Sequence, residues 1–335
     1  MIGRKILVVI LKDDYGDPER DESYEYNYFF GTLERMFTDC RLFDFGGYRG
    51  RPEKLQEDLL RAIDDFQPDL AFFTLFEEEF TPEILDRVRE RCPTINWFCD
   101  DQWRFDAFSS RFCGHFSYIV TTDPYALGKY EAMGYKQALL SQWATRDCLA
   151  EFNGAPDRYV HDVSFVGGYS PFRRWLIQEL GKRKIDVECF GQGWPHGRVT
   201  YEQMEGLFLG SKINLNISNS RSHDIRFVLS GFSGLRDYRR SRKTKEQIKG
   251  RHFEINALGG FQLTNYVEFL EDYFHIGREI AVYNALDDLA DKIRYYLDRD
   301  GLRREIARAG WERVRREHTY EERFSEIFEV MGISD

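Results

Sequence analysis

The run QIKGRHFEINALGGFQLT, residues 247–264, reads as a short helix that closes on a glycine pair and passes directly into a strand. Residues 250–258 space their apolar side chains for a helix, Gly259-Gly260 stops it, and 260–264 is a buried-type strand. Helix, glycine and strand in that order form the joint of a parallel α/β sheet, and the chain repeats the joint in both directions. Upstream, strands are expected at 162–166, 185–190 and 212–217, with helices at 171–180 and 201–209 between them. Downstream, a strand at 279–283 precedes helices at 286–296, 302–314 and 319–330.

The first half alternates in the same way. Strands are expected at 5–11, 41–45, 69–75, 94–99 and 118–122, and helices at 24–37 and 53–66, with another beginning at Thr81-Pro82. Leu55, Leu59, Leu60 and Ile63 share one face of the second of these helices. The pattern is interrupted at Asn153-Gly-Ala-Pro156. Three regions follow: a Rossmann-like domain over 1–150, a second over 160–318, and a C-terminal helix in 319–335 that crosses back to the first domain. Ligands of such sheets bind beyond the C-terminal strand ends, so two sheets facing each other would make an interdomain cleft for two substrates.

Composition supports a globular reading. The 335 residues are 42% hydrophobic and 31% charged, and the 28 Phe and 19 Tyr can fill cores or line pockets for sugars and bases. A net charge of −10 argues against nucleic-acid binding through overall charge. The apolar runs are strand-length, short of the roughly 20 residues a membrane span needs. The N-terminus lacks the pattern of a secretory signal. Cys40, Cys92, Cys99, Cys113, Cys148 and Cys189 are scattered without a CxxC pair, as expected of reduced thiols in a cytoplasmic protein.

Several segments can carry chemistry. Gly167-Gly168 sits between a strand and a helix, where glycine admits a diphosphate to the helix N-terminus, although an ordinary tight turn uses the same residues. The dinucleotide fingerprint GxGxxG is absent, and Gly191-Gln-Gly193 leads into Trp194-Pro195 and no helix, which speaks against NAD or FAD. Lys249 and Arg251 stand two apart at a helix start, able to hold a diphosphate, and Glu254 lies one turn on, able to accept from ribose hydroxyls. A solvated charged turn has the same composition. Asp100 and Asp101 end a strand between Trp97 and Trp103; one carboxylate can orient an acceptor hydroxyl or serve as a general base, and paired acids also suit Mg²⁺ or Mn²⁺. His115 and Asp123 also lie near strand ends.

These segments together resemble the CgeB-like glycosyltransferases, relatives of spore maturation protein CgeB with the GT-B fold. The resemblance runs through 162–168, 213–216, 249–264, 277–283 and 318–323, and is looser in the first half. It implies two facing Rossmann-like domains, with a nucleotide-diphosphate sugar bound mainly by the second and the acceptor meeting the first across the cleft. The implied reaction moves a hexosyl group to an acceptor hydroxyl with retention. The donor site would comprise Gly167, Gly168, Arg173, Lys249, Arg251, Glu254, Gly259 and Gly260, with Glu254 on the ribose. Glu246 and Glu254 have the Glu-x7-Glu spacing of retaining enzymes, although Glu246 lies in a basic stretch without the usual glycine-rich loop. The resemblance implies no cofactor and no metal, because basic groups and helix dipoles would neutralise the diphosphate.

The stretch from Arg221 to Arg251 departs from the family's shorter connection and is locally basic, with Arg226, Arg236, Arg239, Arg240, Arg242, Lys243, Lys245 and Lys249 inside it. It reads as a lid over donor phosphates, a docking surface for an anionic acceptor, nucleic acid or membrane surface, or a solvated loop. The acceptor itself, whether glycan, protein, lipid-linked or small molecule, stays open. Two rival functions share the pattern: a nucleotide-sugar epimerase of GT-B architecture and a non-catalytic polyanion-binding protein.

Overall fold

The computed structural model describes residues 1–146, 152, 159–219, 224–231, 234–236, 239, 243 and 245–333. The chain divides into one unit made of residues 1–142 and 320–335 and a second made of residues 143–319.

The first unit is built on a parallel sheet whose first strand in the chain, β1 (Ile2–Ile10), buries Ile6 to Ile10 completely or nearly so. Its partners are β2 (Phe37–Asp44), β3 (Leu70–Phe73), β4 (Thr94–Phe98), β5 (Tyr118–Thr121) and β6 (Ala138–Leu140), in the order β2-β1-β3-β4-β5-β6. Val8 pairs with Leu42 on one side and Phe72 on the other, and every pairing is parallel. Continuous apolar strands of this kind need helices on both faces. Those helices are α1 (Gly31–Met36), α2 (Pro52–Phe66), α3 (Pro82–Arg89), α4 (Asp101–Arg104), α5 (Ser110–Phe112) and α6 (Pro124–Ala132). In α2 the face Leu55, Leu59, Leu60, Ile63 and Phe66 is buried, and each such side chain contributes about 1.5–3 kcal/mol on leaving water. The C-terminal helix Tyr320–Val330 belongs to this unit. Its Phe324 ring lies 5.5 Å from that of Phe72, 5.7 Å from Phe29 and 6.1 Å from Trp97.

The second unit repeats the plan with five strands. They are β7 (His161–Val166), β8 (Glu188–Phe190), β9 (Ser211–Asn216), β10 (Gln262–Asn265) and β11 (Ala281–Tyr283), ordered β11-β10-β9-β7-β8 and all parallel. Around them lie α7 (Pro171–Lys182), α8 (Tyr201–Leu209), α9 (Ile225–Val228), α10 (Arg251–Ala257), α11 (Leu286–Leu297) and α12 (Asp300–Glu317). Local rules place the helix starts: Ser170 caps α7 by accepting from the Arg173 amide, and Thr200 with Gln203 forms a capping box on α8. The core joins Val163, Phe165, Ile213, Leu215 and Leu263 of the strands to Leu289 and Ile293 of α11.

The α/β class with two parallel sheets is as the sequence predicts. Two details differ. Strand β2 starts at Phe37, so the helix expected over 24–37 stops at Met36, where the chain turns extended. Strand β6, on the sheet edge, has three residues, too few to show a hydrophobic period. Among the described residues no helix is long and apolar enough to cross a membrane.

Candidate functional site

In each sheet the strand order reverses once, between β1 and β3 in the first unit and between β7 and β9 in the second. The loops leaving the two strands on either side of that point diverge, and the C-terminal ends of the strands open into a crevice.

In the second unit, Gly167-Gly168 leaves β7 at this point. A Cβ on Gly167 would meet the Phe165 ring at 2.8 Å, whereas one on Gly168 would meet nothing. The Gly167 carbonyl accepts from Trp194 Nε1 at 3.0 Å, and Gly191, with φ +124°, passes so close that a Cβ there would sit 2.4 Å from the same oxygen. The glycines after β7 and β8 therefore lock two loops together.

Arg173, in the first turn of α7, fastens the other side. Its guanidinium donates to the carbonyls of Gly168 at 2.8 Å, Ile217 at 2.6 Å and Asn219 at 3.2 Å. These carbonyls follow β7 and β9, so the side chain ties the two strands across the switch point. Burial pulls the guanidinium down to about 10, yet it remains charged at neutral pH.

Beyond β9 and β10 a polar network gathers around Glu246. Its carboxylate accepts from Asn219 Nδ2 at 2.6 Å and from Asn265 Nδ2 at 2.5 Å. Asn265 Oδ1 accepts in turn from the Ser218 amide at 2.8 Å and the Ser218 hydroxyl at 2.9 Å. Part of the Glu246 side chain faces solvent, but protein crowds its carboxylate. Desolvation raises the acid to about 7 against the pull of the two amides. The buried Tyr283 phenol, at the end of β11, is raised first by desolvation and then by the Glu246 charge, and lowered by Arg173. These effects place Glu246, Tyr283 and Arg173 within electrostatic reach of one another.

Helix α10 brings the predicted cations to the same edge. Arg251 Nη1 lies 3.0 Å from Glu254 Oε2 and also contacts Met204 Sδ, and its guanidinium lies 5.1 Å above the Phe208 ring. Lys249 Nζ is 5.9 Å from the Trp143 ring centre. His252 is fully buried. Its Nδ1 is 3.1 Å from the Lys249 backbone and its Nε2 3.2 Å from Thr264 Oγ1; desolvation lowers it to about 4, so the ring is neutral. It joins the start of α10 to β10.

The structure thus brings Gly167, Gly168, Arg173, Glu246, Lys249, Arg251 and Glu254 to one edge of the second sheet. Gly259 and Gly260 stand apart, at the other end of α10 where the chain enters β10. Gly259 has φ +78°, and a Cβ on Gly260 would meet Asn214 Nδ2 at 2.8 Å, so their glycine character serves the turn and the packing. Within the basic stretch, Arg221, Arg240 and Arg242 lie outside the described residues. Arg226 pairs with Asp224 at 2.8 Å and Asp287 at 3.0 Å.

In the first unit the two aspartates part company. Asp100 is half-buried at the end of β4, while Asp101 turns into the core. Asp101 Oδ2 accepts from the Tyr130 hydroxyl at 2.8 Å, and desolvation raises the acid to about 6. Asp123 caps α6 by accepting from the Tyr125 amide. His115 precedes β5, at the strand's N-terminal end away from the crevice, with Nδ1 3.0 Å from Asp86 Oδ2. Among the described residues no three His, Cys, Asp or Glu side chains cluster as a metal site.

Asn219, Asn265, Ser218, Tyr283 and His252 carry the network around the predicted residues and are not legible as such in the sequence. The one available signal is the asparagine ending both β9 and β10, a residue unfavourable within a strand.

Comparison with known proteins bears on the fold. A family model described as glycosyl transferase-like matches residues 173–329. No curated protein matches the chain at a significant level. Among solved structures, sucrose-phosphate synthase from Thermosynechococcus elongatus superposes with a TM-score of 0.65 at 12% identity, covering 99% of this chain and 100% of its own. HepE from Anabaena in complex with UDP-glucose gives 0.64 at 11% identity, covering 98% and 99%. A protein assigned as a UDP-N-acetylglucosamine 2-epimerase, from Listeria monocytogenes, gives 0.55 at 9% identity, covering 99% and 98%. The chain therefore has the α/β fold of the GT-B glycosyltransferases, and its residues 173–329 match a glycosyl transferase-like family model.

Proposed function

We propose that the protein is a CgeB-like hexosyltransferase that takes a sugar from a nucleotide diphosphate and places it on an acceptor hydroxyl with retention of configuration. The observation that carries this reading is the assembly of Glu246, Arg251, Glu254 and the Gly167-Gly168 turn at the β7–β9 switch point, where α/β sheets bind nucleotides. The UDP-glucose of the Anabaena neighbour supports a uridine-diphosphate donor.

In the reaction the bond from the sugar's anomeric carbon to the diphosphate oxygen breaks, and the acceptor oxygen bonds to that carbon. The acceptor proton leaves with the diphosphate. Lys249 and Arg251 offset the charge that develops on the departing group, together with the N-terminal end of α7, so no divalent metal is required. Glu254 orients Arg251 and accepts from the ribose. Glu246, held by two amides, faces the sugar. Asp100 serves the acceptor side. The proposal includes a cytoplasmic location; among the described residues no helix is long and apolar enough to cross a membrane.

The test is release of UDP from UDP-glucose with and without simple glycosides. Acceptor-dependent release with formation of a new glycoside supports transfer. A rearranged sugar nucleotide formed without an acceptor would instead show isomerisation.

A further inference from the structure

The basic stretch that follows β9 is a strongly charged segment that the donor edge does not absorb. Residues 221–251 hold ten Arg and Lys against three Asp and Glu, in a chain whose net charge is −10. Only the last residues of the stretch, from Glu246 onward, belong to the donor edge.

Its described part opens with α9. Asp224 caps this helix by accepting from the Arg226 amide at 2.9 Å. Phe227 anchors it: the side chain is buried, with its ring 5.4 Å from that of Phe172 and 5.7 Å from that of Trp175 on α7. Ile225 and Leu229 stand four residues apart, on the side of the helix turned away from Phe227. They are 70% and 75% exposed. The chain then folds back on the helix, so close that a Cβ on Gly234 would sit 2.3 Å from the Phe227 carbonyl oxygen. This sets Leu235 and Arg236, both exposed, beside α9, and Arg239 further along is exposed as well. Arg226 differs from these two arginines, because Asp224 and Asp287 offset its charge.

Packing within the unit gives no reason for two aliphatic side chains to be held in water on an anchored helix. Cations alone would suit any polyanion. Aliphatic side chains among cations suit an anionic bilayer: Ile and Leu leave water for the acyl boundary, and Arg stays at the level of the lipid phosphates. A nucleic acid offers the charge without the apolar phase. The remainder of the chain is acidic, so an anionic surface attracts this face and repels the others.

We propose that this face docks the protein on an anionic lipid surface. Ile225, Leu229 and Leu235 enter the boundary between headgroups and acyl chains, and Arg236 and Arg239 meet lipid phosphates.

Co-sedimentation of the full chain with vesicles tests it, using phosphatidylcholine alone and phosphatidylcholine with about 30% phosphatidylglycerol. At about 0.1 M salt, binding to the anionic vesicles is expected to be at least about tenfold tighter than to the neutral ones, and to weaken as salt rises. Replacing Ile225→Ser together with Leu229→Ser is expected to weaken it about tenfold. Arg236→Ala together with Arg239→Ala is expected to weaken it about 10- to 30-fold. Both double variants are expected to keep the wild-type melting temperature, since the four side chains lie outside the core. No binding to either vesicle, equal binding to both, or undiminished binding by the Ile225/Leu229 variant overturns the proposal. The last of these, with double-stranded DNA displacing the vesicles, marks the stretch as a site for soluble polyanions instead. The measurement needs no nucleotide, so its failure leaves the donor reading untouched.

Discussion

Glu246 and Asp101 are both carboxyls raised by desolvation, and their partners separate their roles. Glu246 accepts from the side-chain amides of Asn219 and Asn265 at the strand ends, groups that favour its ionised form. Transfer is expected to rise with pH through about 7 as Glu246 ionises. Glu246→Gln flattens that limb and lowers kcat about 10- to 100-fold, the range of one charged hydrogen bond. A pH–rate profile on both proteins checks it. Asp101 lies in the core and accepts from the Tyr130 hydroxyl. Its folded pKa of about 6 lies above the ordinary 3.8, so the native state holds the proton more tightly. Its contribution is present at acid pH and is lost as pH rises through 4 to 6, by up to about 3 kcal/mol. Urea unfolding at pH 4.5 and pH 7 is expected to show about 2 kcal/mol of that change in the wild type and none in Asp101→Asn. Sequence spacing found both aspartates but not their directions. One residue after a strand end decides whether a carboxylate enters the crevice or the core, and only tertiary packing sets that.

At the scale of elements, strands and glycines were the most legible features and the network between loops the least. The strand–glycine–helix joint at Val166-Gly167-Gly168 shows in one sequence window because its cause is local. The closure of Gly191 on Gly167, 24 positions away, does not, and neither does the tie from Arg173 to the carbonyls of Ile217 and Asn219. Gly191→Ala would force a Cβ to 2.4 Å from the Gly167 oxygen at a φ of +124°. It is expected to cost more than about 2 kcal/mol and to weaken nucleotide binding by shifting the turn, readable in melting temperature and in UDP titration. Arg173→Lys keeps the charge but cannot span three carbonyls. UDP binding is expected to weaken there too, with kcat at saturating donor closer to wild type.

At the scale of the molecule, alternation of strands and helices over 335 residues made the α/β class readable from the sequence. The assignment of the last helix to the first unit rests on packing. Phe324 is fully buried among Phe29, Phe72 and Trp97, and Phe328 meets Phe37 at 5.3 Å. Phe324→Ala is expected to lower stability by about 3–5 kcal/mol, seen as an earlier unfolding transition with UDP affinity retained below it. A mutation more than 290 positions from Phe29 in the chain would thus unfold the core that Phe29 helps build.

The claim on which the rest depends is that the β7–β9 edge binds a nucleotide diphosphate. Thermal shift with UDP, GDP, CDP, dTDP and ADP, on wild type and Arg251→Ala, addresses it directly. Stabilisation by one diphosphate is expected, about 2.7 kcal/mol at 100 times its Kd, and lost in Arg251→Ala. No shift with any of them at millimolar concentration, or an undiminished shift in the variant, would contradict it.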